Sequence, residues 1–310
     1  MTTKKILVLA LYTCVSALCS AQVKKPAAKP YAKAKPKTES AIKGDNSLLY
    51  EISGKGLTRP SWLFGTMHIL CEQDAVLSEG LKKVIKNSDE VFFEVNMSDM
   101  GEMMSALKYI RMNDDVKLSD LLSPVEYDRV KNYFDKNKPP IPFTMMSRFK
   151  PYFISAMISE DILDCDKKSS MEQNILAEAR KNDRKIDGLE TMEFQASLFD
   201  SIPYEKQAKD LMGYVDSIND YKSTKQQAVI QYRKQNIAGL DSLMQKSDPG
   251  MLEYMDLILY QRNARWYDQI AEQIYQHPAL FAVGAGHLGG EKGVISLLRK
   301  HGFTVKAIKN

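Results

Sequence analysis

From about residue 48 onward the chain alternates short β-prone runs with stretches of helical period. Near-continuous apolar runs at 61–65 (SWLFG), 90–95 (EVFFEV) and 280–284 (LFAVG) predict strands of a sheet buried on both faces. Weaker runs at 185–189 and 304–308 predict two more, and 48–52 reads as a hairpin partner of the first. Helical spacing appears at 78–87, where Leu81, Val84 and Ile85 share a face. It recurs at 98–111, with Met100, Met103, Met104 and Leu107 on one side, a pattern expected of a plastic core or groove. Further helices are expected at 124–136, 152–163 and 170–182, then a long tract over 206–220, 223–246 and 251–276, and a last one at 293–301. Strands and helices alternate at both ends while the middle is almost wholly helical. That pattern predicts an α/β (α+β) domain over 45–310: a central mixed sheet with flanking helices and a large all-α insertion at about 97–182.

Composition changes this picture mainly at the N-terminus. With 44% hydrophobic residues the chain has material for a core, which excludes wholesale disorder. The long apolar run lies at 6–18, behind Lys4 and Lys5, and ends in a small-x-small pattern at 19–21. Residues 1–21 therefore read as a secretory signal, and export to the periplasm or the cell exterior is expected. Residues 22–44, rich in Lys, Pro and Ala, read as an extended tether that could touch an anionic envelope surface. The overall charge of +4 is carried by these segments: removing the leader's two lysines and the tether's net +6 leaves −4 on 45–310. A nucleic-acid partner loses its main support on that count. Two cysteines, Cys71 and Cys165, remain after the leader, and an oxidising compartment would permit a bridge between them.

The candidate chemistry lies in two matched motifs, Gly65-Thr66-Met67-His68 and Gly284-Ala285-Gly286-His287. Each follows an apolar strand and sets a histidine just past its C-terminal end, the edge where functional groups gather in open α/β sheets. Glu94 lies near the end of the 90–95 strand, and Glu190 ends the 185–189 one. Two imidazoles and a carboxylate suit a divalent ion (Mn, Co or Zn) with open positions, and a second carboxylate suits a general base. Cys71, three residues after His68, is a lesser candidate ligand, although Leu70-Cys71 more simply packs inward. The backbone at Gly286, Gly289 and Gly290 could hold an anion or a developing oxyanion. The same glycines satisfy a dinucleotide fingerprint, but no acidic residue follows them at the ribose-binding distance. No Gly-x-Ser-x-Gly elbow and no His-Glu-x-x-His occur.

These residues resemble the TraB/GumN family, which includes the Tiki metalloproteases. The resemblance rests on LFGTMH (63–68), FFEV (92–95), FKPY (149–152), GLETMEFQ (188–195), Arg262-Asn263 and AVGAGHLGGEKGVISLLRKHGFTV (282–305). It implies a fold like the erythromycin-esterase/ChaN group and a metal-dependent hydrolase, peptidase-like, acting on a peptide or protein. His68, His287 and Glu94 would hold the ion. Glu94 or Glu190 would act as base, and Arg262 and Lys150 match further family positions, Arg262 able to pair with a substrate carboxylate or Glu190 and Lys150 expected to touch substrate. Two other readings remain open on the residues alone. One is an envelope protein that binds a metal, haem or peptide without turnover. The other is an esterase-like hydrolase whose His/Glu pair works without metal.

Overall fold

The structure, a computed structural model, describes residues 46–137, 139, 141–246 and 253–310. The expected leader and tether lie outside the described residues. In chain order the strands and helices run β1 (Leu49–Ser53), β2 (Ser61–Thr66), β3 (Leu70–Cys71), α1 (Glu79–Asn87), β4 (Glu90–Val95), α2 (Met100–Ala106), α3 (Leu118–Leu121), α4 (Pro124–Asn137), α5 (Phe143–Met146) and α6 (Pro151–Asp161). They continue as β5 (Lys168–Ser169), α7 (Met171–Lys181), β6 (Lys185–Glu190), α8 (Met192–Leu198), α9 (Tyr204–Asp216), α10 (Ile218–Arg233), α11 (Ile237–Gln245), α12 (Gln261–Gln276), β7 (Ala279–Gly284), α13 (Val294–Lys300) and β8 (Thr304–Ile308). The molecule is of mixed α/β class.

Six strands form one sheet in the order β6-β4-β7-β2-β1-β8. The run β6, β4, β7, β2 is parallel, while β1 pairs antiparallel with both β2 and β8. Every residue of β2 and β7 is buried, as the apolar runs require of central strands covered on both faces. Phe92 of β4 stacks on Phe281 of β7 with ring centroids 5.1 Å apart. Although β7 comes last of the four in sequence, it inserts between β4 and β2. That insertion makes a topological switch point, so the crevice beyond the strands' C-terminal ends is the place where a ligand site can form.

Two apolar cores result. One covers the sheet and includes Trp266 and Ile270 of α12 and Met171 and Ile175 of α7. The other is almost wholly helical, built from buried residues within 95–162, 192–214 and 255–259. Local signals set the element ends. Ser78, Ser170 and Thr191 each cap the following helix by accepting a backbone N–H with the side-chain oxygen. The tract expected at 223–246 is interrupted at Gln235, whose φ is 52°, and Asn236 caps the new helix α11. Met100 and Met104, expected in a plastic core or groove, are 52% and 50% exposed and so lie outside the core.

A two-stranded ribbon, β3 with β5, stands outside the main sheet. The Cys71–Cys165 disulfide lies beside it, with 5.9 Å between Cα atoms. Cys71 is thus half of a bridge, and the idea of a thiolate ligand at that position is set aside. Among the described residues no helix is long and apolar enough to cross a membrane.

Candidate active site

The four parallel strands end side by side, and each delivers one of the expected residues to a common edge. Glu190 closes β6, and Glu94 sits one residue before the end of β4. His287 ends the single turn Ala285–His287 that follows β7, and His68 lies two residues past β2. Arg262, from the first turn of α12, reaches into the middle of the group. Its Nη2 donates to Glu94 Oε2 at 2.7 Å and also to Glu190, while its Nε donates to Glu190 Oε1 at 2.8 Å. Nη1 donates to the Ile258 carbonyl at 3.0 Å and lies 3.3 Å from His287 Nε2. His68, Glu94, Arg262 and His287 are each no more than 2% exposed, so this is an interior polar cluster rather than a surface one.

Buried charge is tolerable only when every lone pair and proton finds a partner. Glu94 accepts the Gly284 backbone N–H on Oε1 at 2.8 Å and Gln195 Nε2 on Oε2 at 3.2 Å. Burial alone would raise its pKa, but Arg262 and the two imidazoles, with the Gly284 amide, hold it down to about 2. Glu190 accepts Gln195 Nε2 at 2.8 Å and the Trp266 indole N–H at 3.1 Å, so both its oxygens are engaged.

The two histidines are held differently. His287 Nδ1 lies 2.6 Å from Asn263 Oδ1, whose amide nitrogen in turn donates to the Lys292 carbonyl at 2.9 Å. An amide oxygen only accepts, so Nδ1 carries the proton and the Nε2 lone pair faces the cluster. Burial, with Arg262 and His68 nearby, lowers the pKa of His287 to about 3 against the pull of Glu94. It is therefore neutral at ordinary pH. His68 Nδ1 lies 2.5 Å from Oε1 of Glu172 on α7. Burial lowers its pKa, yet Glu172 and Glu94 outweigh burial and raise it.

An ideal methyl placed on Gly284 would sit 3.0 Å from Glu94 Oε1, 3.6 Å from His287 Cδ2 and 3.9 Å from His68 Nε2. That one point marks where the three side chains come together. By donor type and tautomer they suit a divalent ion: two imidazoles, each with its Nδ1 held by a second residue, and an ionised carboxylate. Among the described residues, however, no three such donors are already gathered around a point.

A cavity opens over these residues. His68, Glu94, Gly284 and His287 form its floor, while Tyr214, Met244, Met255 and Leu259 belong to an apolar wall that also carries Lys225. Gly286 borders the cavity, whereas Gly289 and Gly290 lie against Ile237 and Asp241 of α11, Gly290 with φ at 77°. Lys150 stands apart. It is 1% exposed, its Nζ 2.6 Å from Asp200 Oδ1 and 3.1 Å from the Ala196 carbonyl. His277 and His301 lie outside this cluster, as the C-cap residues of α12 and α13.

A sequence profile of the TraB/PrgY/gumN family matches residues 48–307, which hold the whole cluster. The chain belongs to the TraB/PrgY/gumN family. Relatives of this family member include a metalloprotease TIKI homolog of Nematostella vectensis, 21% identical over 86% of this chain and 68% of that protein. Another is metalloprotease TIKI2 of Danio rerio, 20% identical over 84% of this chain and 61% of that protein. The chain thus spans about two thirds of the length of these relatives. No solved structure matches it.

The site residues that sequence reasoning passed over are Glu172, Asn263, Gln195 and Trp266. Gln195 and Asn263 fall inside motifs that carried the family resemblance, so a signal existed without a role. Trp266 lies one turn after Arg262, the spacing that places two side chains on one helix face. Glu172 had no such signal, because an acid in a helix's first turn reads as an ordinary dipole partner.

Proposed function

We propose that this TraB/PrgY/gumN family member is a metal-dependent hydrolase acting on peptide bonds in an exported setting. The observation that carries the reading is the meeting of His68, His287 and Glu94 at the floor of one cavity, with both Nδ1 atoms held by other side chains. His68 Nε2, His287 Nε2 and the Glu94 carboxylate would hold a divalent ion (Mn, Co or Zn). When bound, such an ion lowers the pKa of water and polarises a carbonyl. Arg262, Gln195 and the Gly284 amide keep Glu94 ionised and aimed at the floor. Glu190, with both oxygens bonded, anchors Arg262 rather than acting as the base. Gly286, at the cavity's border, would present its backbone amide to a substrate carbonyl, and the apolar wall would receive side chains of a peptide. The metalloprotease names of the relatives support a peptide or protein substrate. The Cys71–Cys165 bridge supports an oxidising compartment, periplasmic or extracellular. Lys150, buried against Asp200, is read as a structural ion pair.

A titration with Zn²⁺, Mn²⁺ and Co²⁺, paired with a peptide-library digest, tests the reading. The expected result is close to one ion per chain, lost in His68→Ala and in His287→Ala, with cleavage reduced about a hundredfold or more. A folded wild-type chain that binds none of the three ions overturns it. A second reading, acid–base hydrolysis by the histidines without metal, is favoured by the raised pKa of His68, where Glu172 and Glu94 outweigh burial. Cleavage that survives a chelator would select it.

A further inference from the structure

The two imidazoles at the cavity floor differ in what holds them. His287 is held by a neutral amide, Asn263, whereas His68 is held by a carboxylate buried as deeply as itself. Glu172 is 0% exposed and lies away from the cavity, behind the His68 ring. One oxygen lies 2.5 Å from His68 Nδ1, and the other accepts the Ser170 hydroxyl at 2.6 Å. Ionised carboxylates only accept, so the contact requires a proton on Nδ1 and turns Nε2 toward Glu94 and Gly284.

The backbone explains why the contact is held in place. The segment bearing His68 and the segment bearing Glu172 are bonded neighbours over several residues. Leu70 pairs with Ser169 and Cys71 with Lys168 in the ribbon, and the Met171 amide donates to the Met67 carbonyl at 3.4 Å. Ser170 caps α7 and also bonds Glu172, so the first turn cannot rotate without losing two contacts. A buried acid kept only for stability would have no need to face a histidine whose far nitrogen enters the cavity.

We propose that Glu172 is the positioning residue for His68, fixing its ring so that Nε2 faces the cavity floor. The inference rests on His68 working at that floor, as ligand or as acid–base group. Carboxylates behind a ligating histidine fix its tautomer and raise its basicity, and their removal costs about 10–100-fold in affinity or activity.

The test uses the full chain labelled with ¹⁵N at histidine, with His68 assigned by loss of its signals in His68→Ala. In the wild type the ring nitrogens should report a proton fixed on Nδ1. In Glu172→Ala they should report averaged tautomers, and Zn²⁺ affinity should fall about 10–100-fold. Glu172→Gln keeps an acceptor oxygen but not the charge, so the fixed tautomer should persist with an intermediate affinity. Wild-type ring signals in a folded Glu172→Ala chain overturn the proposal. Should Glu172→Ala fail to fold, wild-type Zn²⁺ affinity in Glu172→Gln overturns it equally. A wild-type chain that binds no Zn²⁺ defeats the metal reading alone, because the ring signals still decide the role of Glu172.

Discussion

Gly284 sits at the one point where His68, Glu94 and His287 approach one another, and its own amide holds Glu94. Its φ is −52°, which any residue adopts, so the glycine is required by space rather than by backbone conformation. Gly284→Ala should therefore fold, with its methyl forcing the Glu94 carboxylate off its present place. Overpacking of this kind costs about 1–3 kcal/mol, and Zn²⁺ affinity should drop at least about tenfold, since a ligand is displaced. Urea denaturation and a Zn²⁺ titration read the two effects. Wild-type affinity in a folded Gly284→Ala chain would show that the three side chains do not share this point. Arg262 raises a related issue of charge: it neutralises Glu94 and Glu190 together, so removing it would leave two buried carboxylates facing each other. The site is thus a single electrostatic unit, and single substitutions in it will not add.

Elements explain what could and could not be read from the chain. Strands β2, β4 and β7 were legible because burial on both faces demands unbroken apolar runs, and the glycine-histidine sequels of β2 and β7 marked the edge where the site forms. The hairpin partner β1 and the edge strand β8 were legible as well. The ribbon of β3 and β5 was not, since two-residue strands leave no period. Short helices α3, α5 and α8 escaped for the same reason, and the break at Gln235 needed knowledge of a tertiary contact: its amide bonds the Leu48 N–H and the Asn310 carbonyl. Glu172 went unread because its partner is set by that unseen ribbon. The ribbon has its own measurable consequence. The Cys71–Cys165 bridge closes a loop with a sequence separation of 94 residues. Constraining so long a loop in the unfolded chain contributes roughly 4–5 kcal/mol in the chain-entropy picture. A Cys71→Ser/Cys165→Ser chain should lose stability of that order in guanidinium unfolding, and reductant should have little further effect on it. A loss under about 1 kcal/mol would mean that the ribbon and its flanking core hold the two segments unaided.

At the scale of the molecule, a sheet core and a helical core meet around one cavity, and each core holds a buried tyrosine. Tyr214 comes from the helical core, stacks on Tyr221 at 3.7 Å and lines the cavity; burial pushes its pKa up to about 12. Tyr232 comes from the sheet core, donates to the Gly65 carbonyl at 2.9 Å, and burial raises its pKa well above the ordinary value. The sign of the linkage follows directly. A phenol whose pKa is higher folded than unfolded binds its proton more tightly in the fold, so its contribution is complete below pH 10. It is lost as pH rises from 10 to 12, when only the unfolded chain can ionise freely. For Tyr214 the loss amounts to about 3 kcal/mol across that interval. Denaturant unfolding at stepped pH should show stability falling from pH 10 upward, with the share of phenolate absorbance that is missing in Tyr214→Phe appearing only as the chain unfolds. Tyr214→Phe should flatten that fall while costing little at pH 8. Were the helical layer to open on its own, Tyr214 would ionise near pH 10 with the sheet intact, and the absorbance change would precede global unfolding. The coincidence or separation of the two signals therefore decides whether the cavity's wall and floor unfold as one unit.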